Sequence, residues 1–327
     1  MTVKIIRSLL VLAHVFVLTL LAGATLNSVV SPQTFPWLNI LSLTFPALMI
    51  VNAILIIIWI VLRKKRAILF IALTLLMINP IRRWVNFSPE SLEKANLKVL
   101  TMNIKGGKYG REEVYNYLKD SGADVIFAQE YASEFNVPGY PHRTNTYYIT
   151  ALNSRTELIH HEKIPTTQNG EAFFADIKIN GKMIRFINVY LNPFMFEKSK
   201  VKPADDLNKN KQKLRYIAAT LIPTFKSHQS EVEIIKNTIK KSPYPVILAG
   251  DFNSVPNSYE YYQLSDGLQD AFVEVGRGTS TSFHDYKVPI RIDYIFCSPE
   301  IIPVSYRVDR RKKLSDHYPA IAEFKIE

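Results

Sequence analysis

The chain has 327 residues, 47% of them hydrophobic and 21% charged, which is enough for one large domain or two ordinary ones and too apolar for a disordered chain. Its formal charge of +11 points toward nucleic acid or an anionic membrane, yet +7 of it falls in residues 1–96, and the +4 of residues 97–327 argues weakly for a dedicated DNA-binding surface. The single cysteine, Cys297, excludes an intrachain disulfide and any multi-cysteine metal site, and reads as a packed residue at a strand end.

From Ser8 to Leu62 there is no Asp, Glu, Lys or Arg. A membrane span needs about 20 apolar residues, so this run holds two, expected at about 7–26 and 40–62. NSVVSPQTFPW (27–37), with Pro32 and Pro36, is the connector. RKKR (63–66) ends the second span. The next apolar run would reach only about 22 Å as a helix, and snorkelling by Arg66, Arg82 and Arg83 extends it to an expected third span at about 67–84.

Lys4, Arg7 and RKKR flank the spans while the connector has no cation, which places the N-terminus and RKKR in the cytoplasm. Three crossings then put the rest of the chain outside it. A cleaved signal peptide fits MTVKIIR and LAGAT, but the apolar sequence resumes beyond them. His14 reads as a helix-packing residue. The expected organisation is a membrane anchor at 1–87, a linker at 88–96 and a catalytic domain at 97–327.

Beyond the linker the pattern changes to short β-rich runs: LKVLTM (97–102), DVIFAQ (124–129), EAFFADIKI (171–179), KMIRFINVYL (182–191), PVILAG (245–250), RIDYIF (291–296) and AIAEFKI (320–326). Asn180-Gly181 joins two of them as a hairpin. REEVYNYLKD (111–120) and SEVEIIKNTIKKS (230–242) are amphipathic helices, whereas the lysine-rich EKSKVKPADDLNKNKQK (197–213) reads as a solvated loop or helix face. His142, His160, His161 and His228 read as surface histidines. Strands interleaved with helices imply mixed sheets covered by helices.

Several apolar strands end in polar residues. LTM leads to Asn103, IFAQ to Glu130, and VILAG to Asp251 and Asn253; Asp316 and His317 precede the last strand, and Asp293 lies inside RIDYIF. One acid at a strand end is a turn or cap residue; several together suggest a shared cleft. Glu130, Asp316 and the Asn103 carbonyl are hard oxygen donors suited to Mg²⁺ or Mn²⁺. His317 can polarise an oxygen with Asp293 fixing its tautomer, and Asp251 can act as general base. Together these describe metal-assisted hydrolysis of a phosphate ester.

The motifs TMNIKGG, FAQE, NVYLNP, GDFN, RIDYIF and SDHYP, in this order over most of 97–327, resemble the endonuclease/exonuclease/phosphatase family. The resemblance implies a four-layered α/β sandwich, two mixed β-sheets face to face with helices outside, here preceded by an N-terminal transmembrane helical region. It further implies that Glu130 is the principal metal ligand, with Asn103 beside it and Asp316 near the metal. Asp251 would orient or deprotonate the attacking water, Asn253 would hold that water or a phosphate oxygen, and His317 with Asp293 would stabilise the phosphorus centre. Tyr190 stands where many members have histidine, leaving its hydroxyl for phosphate contact. Lys105 stands where some nuclease members have an acid, which argues against a second metal.

The reading is a membrane-anchored, Mg²⁺- or Mn²⁺-dependent phosphoesterase with the lipid bilayer as partner and a lipid or polyprenyl phosphate as substrate. An extracytoplasmic nuclease is the alternative, with nucleic acid the less favoured substrate. His284, in TSFHDYKVP, is a polar loop residue or a substrate contact.

Overall fold

Apolar runs with β-branched and aromatic residues form the inner strands of two six-stranded sheets. The computed structural model describes residues 2–89, 91–131, 136–144, 147–166, 169–194, 206–285 and 288–327. In chain order the strands are β1 (Val85–Phe87), β2 (Leu97–Asn103), β3 (Val125–Gln129), β4 (His142–Arg143), β5 (Thr150–Ser154), β6 (Leu158–Ile164), β7 (Glu171–Ile179), β8 (Lys182–Tyr190), β9 (Val246–Asp251), β10 (Gln269–Asp270), β11 (Arg277–Thr279), β12 (Asp293–Cys297), β13 (Ile302–Val308) and β14 (Ala320–Lys325). The helices are α1 (Thr2–Thr25), α2 (Trp37–Val61), α3 (Arg66–Leu75), α4 (Ile78–Arg82), α5 (Arg111–Asp120), α6 (Leu207–Lys240), α7 (Tyr259–Leu264) and α8 (Ala271–Val275).

One sheet has the order β13-β14-β2-β3-β5-β4 and the other β10-β12-β9-β8-β7-β6. Each is mixed: β2/β3 and β8/β9 are parallel, and the other pairs are antiparallel. Val99, Phe127, Phe173, Phe186, Ile247, Ile295 and Phe324 fill the space between the sheets. Val114 and Leu118 of α5 cover the first sheet, and Val232 and Ile235 of α6 with Leu264 of α7 cover the second. This is the expected four-layered sandwich. The hairpin forms as read, with Asn180 and Gly181 both at positive φ (49° and 87°), as a type I′ turn requires.

Three expectations are corrected. The helix expected across 67–84 is two helices, α3 and α4, separated at Leu76–Met77. Pro80 accounts for the break, since it lacks an N–H and its ring crowds the carbonyl four residues back, that of Leu76. At ten residues α3 is about 15 Å long, half the hydrocarbon core. Second, Val85–Phe87 do not end an independent anchor; they pair with β11, and Ser88 N–H donates to the Gly276 carbonyl. Third, His228 is fully buried rather than superficial. Of the two readings of the lysine-rich stretch, the helix face holds for its described part: α6 begins at Leu207, with the Asp206 carboxylate accepting the Lys209 N–H at 2.8 Å as its cap. Residues 197–205 of that stretch lie outside the described residues.

The N-terminal helices pack on one another through polar contacts. Asn52 of α2 accepts at 2.9 Å from His14 Nε2 and donates at 3.0 Å to Thr74 of α3, and Trp59 Nε1 donates to His14 Nδ1 at 3.1 Å. Their connection to the sandwich is also polar. Asn27 Nδ2 and Ser42 Oγ donate to the Asn257 carbonyl, and Asn39 receives the Tyr259 N–H at 2.9 Å and donates to Glu260 at 2.9 Å.

Candidate active site

Strand register assembles the site. Across the antiparallel pair β9/β12, Asp251 lies opposite Asp293, and across the parallel pair β8/β9 it lies opposite Tyr190. The preceding Gly250 has φ 145°, and a Cβ there would meet the Val189 carbonyl oxygen at 1.9 Å, so only glycine lets β9 approach β8 here. In the other sheet Asn103 pairs with Gln129, and Glu130 follows. Asn103 Nδ2 donates to Glu130 Oε1 at 2.9 Å and to Asp251 Oδ2 at 3.0 Å, so one amide joins the strand ends of both sheets.

Three of the six non-glycine residues at positive φ among the described residues belong to this cluster: Lys105, Glu130 and Asn253. Such conformations cost about 1–3 kcal/mol each and persist where the surroundings hold them. Asp251 Oδ1 accepts the Asn253 N–H at 2.8 Å, and Asn253 Nδ2 donates to the Leu191 carbonyl at 2.9 Å. These bonds answer how a buried carboxylate and a half-buried carboxamide two residues apart are tolerated at the end of an apolar strand. The Leu191–Asn192 segment is held in turn from α6, where buried His228 links the Asn192 carbonyl (2.6 Å) to Glu260 (2.8 Å) and Glu231 accepts the Asn192 N–H at 3.0 Å.

His317 Nδ1 donates to Asp293 Oδ2 at 2.8 Å, which leaves Nε2 facing Asp251 Oδ2 at 3.8 Å. The Tyr190 hydroxyl donates to Glu130 Oε1 at 3.3 Å. Lys105 Nζ pairs with Asp316, whose other oxygen accepts from Ser315. His284 bonds the Ser315 carbonyl and stacks on Tyr318.

Burial raises the Asp251 carboxyl well above its ordinary range, with the His317 charge and the Asn103 amide opposing it. Burial alone would lower His317; the Asp293 and Asp251 carboxylates outweigh it and raise the imidazole. Burial, then Glu130 and Asp251, raises the Tyr190 phenol, which stays protonated and can only donate to a carboxylate. Asp316 is lowered despite its burial because Lys105 bonds it.

A cleft of about 240 Å³ opens onto Lys105, Glu130, Asp251, Asn253, Asp316 and His317. Its donors suit a hard divalent cation: carboxylate oxygens of Glu130, Asp251 and Asp316, and the second lone pair of Asn103 Oδ1, whose first accepts the Lys105 N–H. Donor atoms of Asp251, Asp293 and His317 also lie within 4.8 Å of one another, but the Asp293–His317 bond commits those two groups to each other. Asp293 Oδ1 is buried with no hydrogen-bond partner among the described residues.

Every residue singled out by sequence therefore borders this cleft or bonds a residue that does. Missed were the ion pair of Lys105 with Asp316 and the presence of Asn39 and Leu43 of α2 in the cleft wall. Polar Asn39 and Ser42 in an otherwise apolar helix were the available signal.

Two mixed sheets with strand-end acids and a His–Asp pair in one cleft define a phosphoesterase-type hydrolase fold. The sequence profile of the Endonuclease/Exonuclease/phosphatase family matches residues 100–317, two thirds of the chain, and the chain belongs to that family of hydrolases. A second profile, described only as a domain of unknown function, matches residues 7–84. No curated protein matches the chain.

Among solved structures, an endonuclease/exonuclease/phosphatase from Bacteroides vulgatus superposes with TM-score 0.53 at 18% identity, covering 72% of this chain and 100% of that one. The mannosyl-6-phosphatase of Bacteroides thetaiotaomicron gives 0.52 at 17% identity, covering 70% and 100%. D. rerio TDP2 complexed with single strand DNA product gives 0.51 at 17% identity, covering 70% and 98%. These likenesses are of fold.

Proposed function

We propose that this protein is a membrane-anchored, divalent-cation-dependent phosphoesterase acting on a phosphate ester of a lipid or polyprenol at the membrane surface. The observation that carries the reading is the Asn103 amide, which ties Glu130 of one sheet to Asp251 of the other beside the His317–Asp293 pair. Glu130 is the main cation ligand, with Asn103 and Asp316 next to it. When bound, Mg²⁺ or Mn²⁺ polarises a phosphoryl oxygen and offsets its charge.

Asp251, whose affinity for protons is raised by burial, takes a proton from the attacking water. Asn253 holds that water or a phosphoryl oxygen. His317, fixed through Nδ1 by Asp293, presents Nε2–H to a phosphoryl oxygen, and the Tyr190 hydroxyl is a further donor. The Lys105 ammonium, paired with Asp316, puts a fixed positive charge in the cleft, which favours a single ion.

The anchor reading is supported by α1 and α2, two helices long and apolar enough to cross a membrane. Ile5, Leu9, Leu12, Phe16, Ile50, Ile54 and Ile57 are exposed on them, unlike the core helices of a soluble domain. We assign residues 1–84 to this anchor and 97–327 to the catalytic domain; Asn27 and Asn39, at the connector end of α1 and α2, contact Asn257 and Glu260, so the catalytic domain shares the connector's side, opposite Lys4, Arg7 and RKKR. The test is a panel of lipid phosphates, sugar phosphates, aryl phosphates and DNA with Mg²⁺ or with EDTA. Cation-dependent turnover of lipid phosphates is expected; turnover of DNA alone would replace this reading by the nuclease.

A further inference from the structure

The cleft has a second wall that the proposed chemistry does not use. Opposite the strand ends it is lined by Leu43 of α2, Leu221 and Phe225 of α6, Phe194 and Val255. Leu221, Phe225 and Val255 are nearly inaccessible, at 3, 4 and 5% exposure. Such a wall offers a small hydrophilic phosphate no hydrogen-bond partner, whereas it shields a hydrocarbon chain from water.

The wall continues beyond the cleft. Leu43 is 38% exposed, and on the same face of α2 follow Ile50, Ile54 and Ile57 at 62, 51 and 57%. Their offsets of seven, eleven and fourteen residues keep them in one stripe along a helix. The stripe starts inside the cleft and runs away from the sandwich along a helix read as membrane-spanning. Asn39 pins the start of that helix through Tyr259 N–H and Glu260, so Leu43 holds a fixed place in the wall.

Size decides how much of a ligand is enclosed. At about 240 Å³ the cleft lies below the roughly 300–1,000 Å³ of pockets that enclose a whole small ligand. A phosphate and the first few carbons of a chain fit; the remainder has to leave along an apolar path.

We propose that this wall binds the hydrocarbon chain of a phosphorylated lipid, its first carbons lying between α2 and α6 and the rest along the Leu43–Ile57 stripe. The anchor is then part of the substrate site and not only a tether. The proposal deepens the phosphoesterase reading and rests on it for the phosphate end.

Two measurements on the full chain in phosphatidylcholine nanodiscs test it. The first is hydrolysis of n-alkyl monophosphates from butyl to dodecyl with Mn²⁺, for the wild type and Leu43→Trp. In the wild type kcat/KM should rise roughly threefold to fourfold per methylene until the wall is covered, then level off. In Leu43→Trp the plateau should arrive at a shorter chain, a comparison of slopes that cancels any general loss of rate. No dependence on chain length, or the same plateau in both proteins, overturns the chain site while leaving the hydrolase intact. The second is photolabelling of the wild type with a dodecyl phosphate carrying a diazirine on its chain, read without turnover. Label on Leu43, Leu221 and Phe225 supports the site even if no alkyl phosphate is hydrolysed, an outcome that would sink the phosphoesterase reading alone. Label confined to Ile5, Leu12 and Ile68 overturns it.

Discussion

The sandwich and the N-terminal helices differ in what they leave exposed. Between the sheets are Val99, Phe127, Phe186, Ile247 and Phe324, with polar groups gathered at strand ends where the cleft opens. In α1 and α2 Leu18, Leu21, Phe45, Leu55 and Trp59 are buried together with His14, Asn39, Ser42 and Asn52, while Ile5, Leu9, Leu12, Phe16, Ile50, Ile54 and Ile57 face outward. The proposed membrane anchor rests on these outward-facing residues, since hydrocarbon does not penalise their exposure as water does. The two regions nevertheless meet through buried polar contacts, Asn27, Asn39 and Ser42 on one side and Asn257, Tyr259 and Glu260 on the other, so the helices are docked to the catalytic domain rather than hung from a free linker.

The largest expected effect of breaking one region and sparing the other is at Asp251. Asp251→Asn keeps the size and the acceptor for the Asn253 N–H but turns an NH2 toward the Asn103 donor; it should lower kcat/KM for a phosphate ester by roughly 10²–10⁴-fold, with the fold retained by circular dichroism. Next is the link behind the cleft. His228→Ala strips a buried partner from Glu260 and from the Asn192 carbonyl and should cost about 3–5 kcal/mol, read by thermal unfolding of the purified full chain.

A pH dependence follows from Glu231. Burial foremost raises its carboxyl from 4.5 to about 7, the neighbouring His228 and the Asn192 N–H opposing the rise. A carboxyl raised on folding stabilises the fold below its unfolded pKa, and that contribution is lost as pH climbs through the folded value. Stability should therefore decline between about pH 4.5 and 7 by on the order of 3 kcal/mol from this group. Glu231→Gln should flatten the decline; an unchanged profile would remove Glu231 as its source. The smallest effect is at the seam between regions, where Asn39→Leu leaves the Tyr259 N–H and a Glu260 oxygen without their partner. It should cost roughly 1–3 kcal/mol and loosen the contact, detected as faster proteolysis between residues 85 and 96.

Much of the sandwich was legible in sequence because its central strands carry uninterrupted apolar runs, as in VILAG and VIFAQ. Edge and short strands were not. β6, LIHHEKI, has a largely exposed face with histidines, glutamate and lysine, and β5, TALNS, is short and polar, so neither shows the alternation of a half-buried strand. The first half of α6 stayed open between loop and helix face, since NKNKQK carries no apolar period; the Asp206 cap decides for the helix. The strand-end residues of the site could be read from their positions after buried runs. Leu43 could not, because its cleft neighbours Phe225 and Ser258 lie far along the chain and only the docked helices bring them together.

The central claim is that Glu130, held beside Asp251 by Asn103, binds a divalent cation. It is tested most directly by titrating Mn²⁺ into EDTA-stripped full-length protein and recording bound ion by electron paramagnetic resonance, for the wild type and Glu130→Gln. The account predicts saturable binding by the wild type, weakened by an order of magnitude or more in the variant with the fold retained. Equal Mn²⁺ affinity in the two proteins, or none in either, would contradict it.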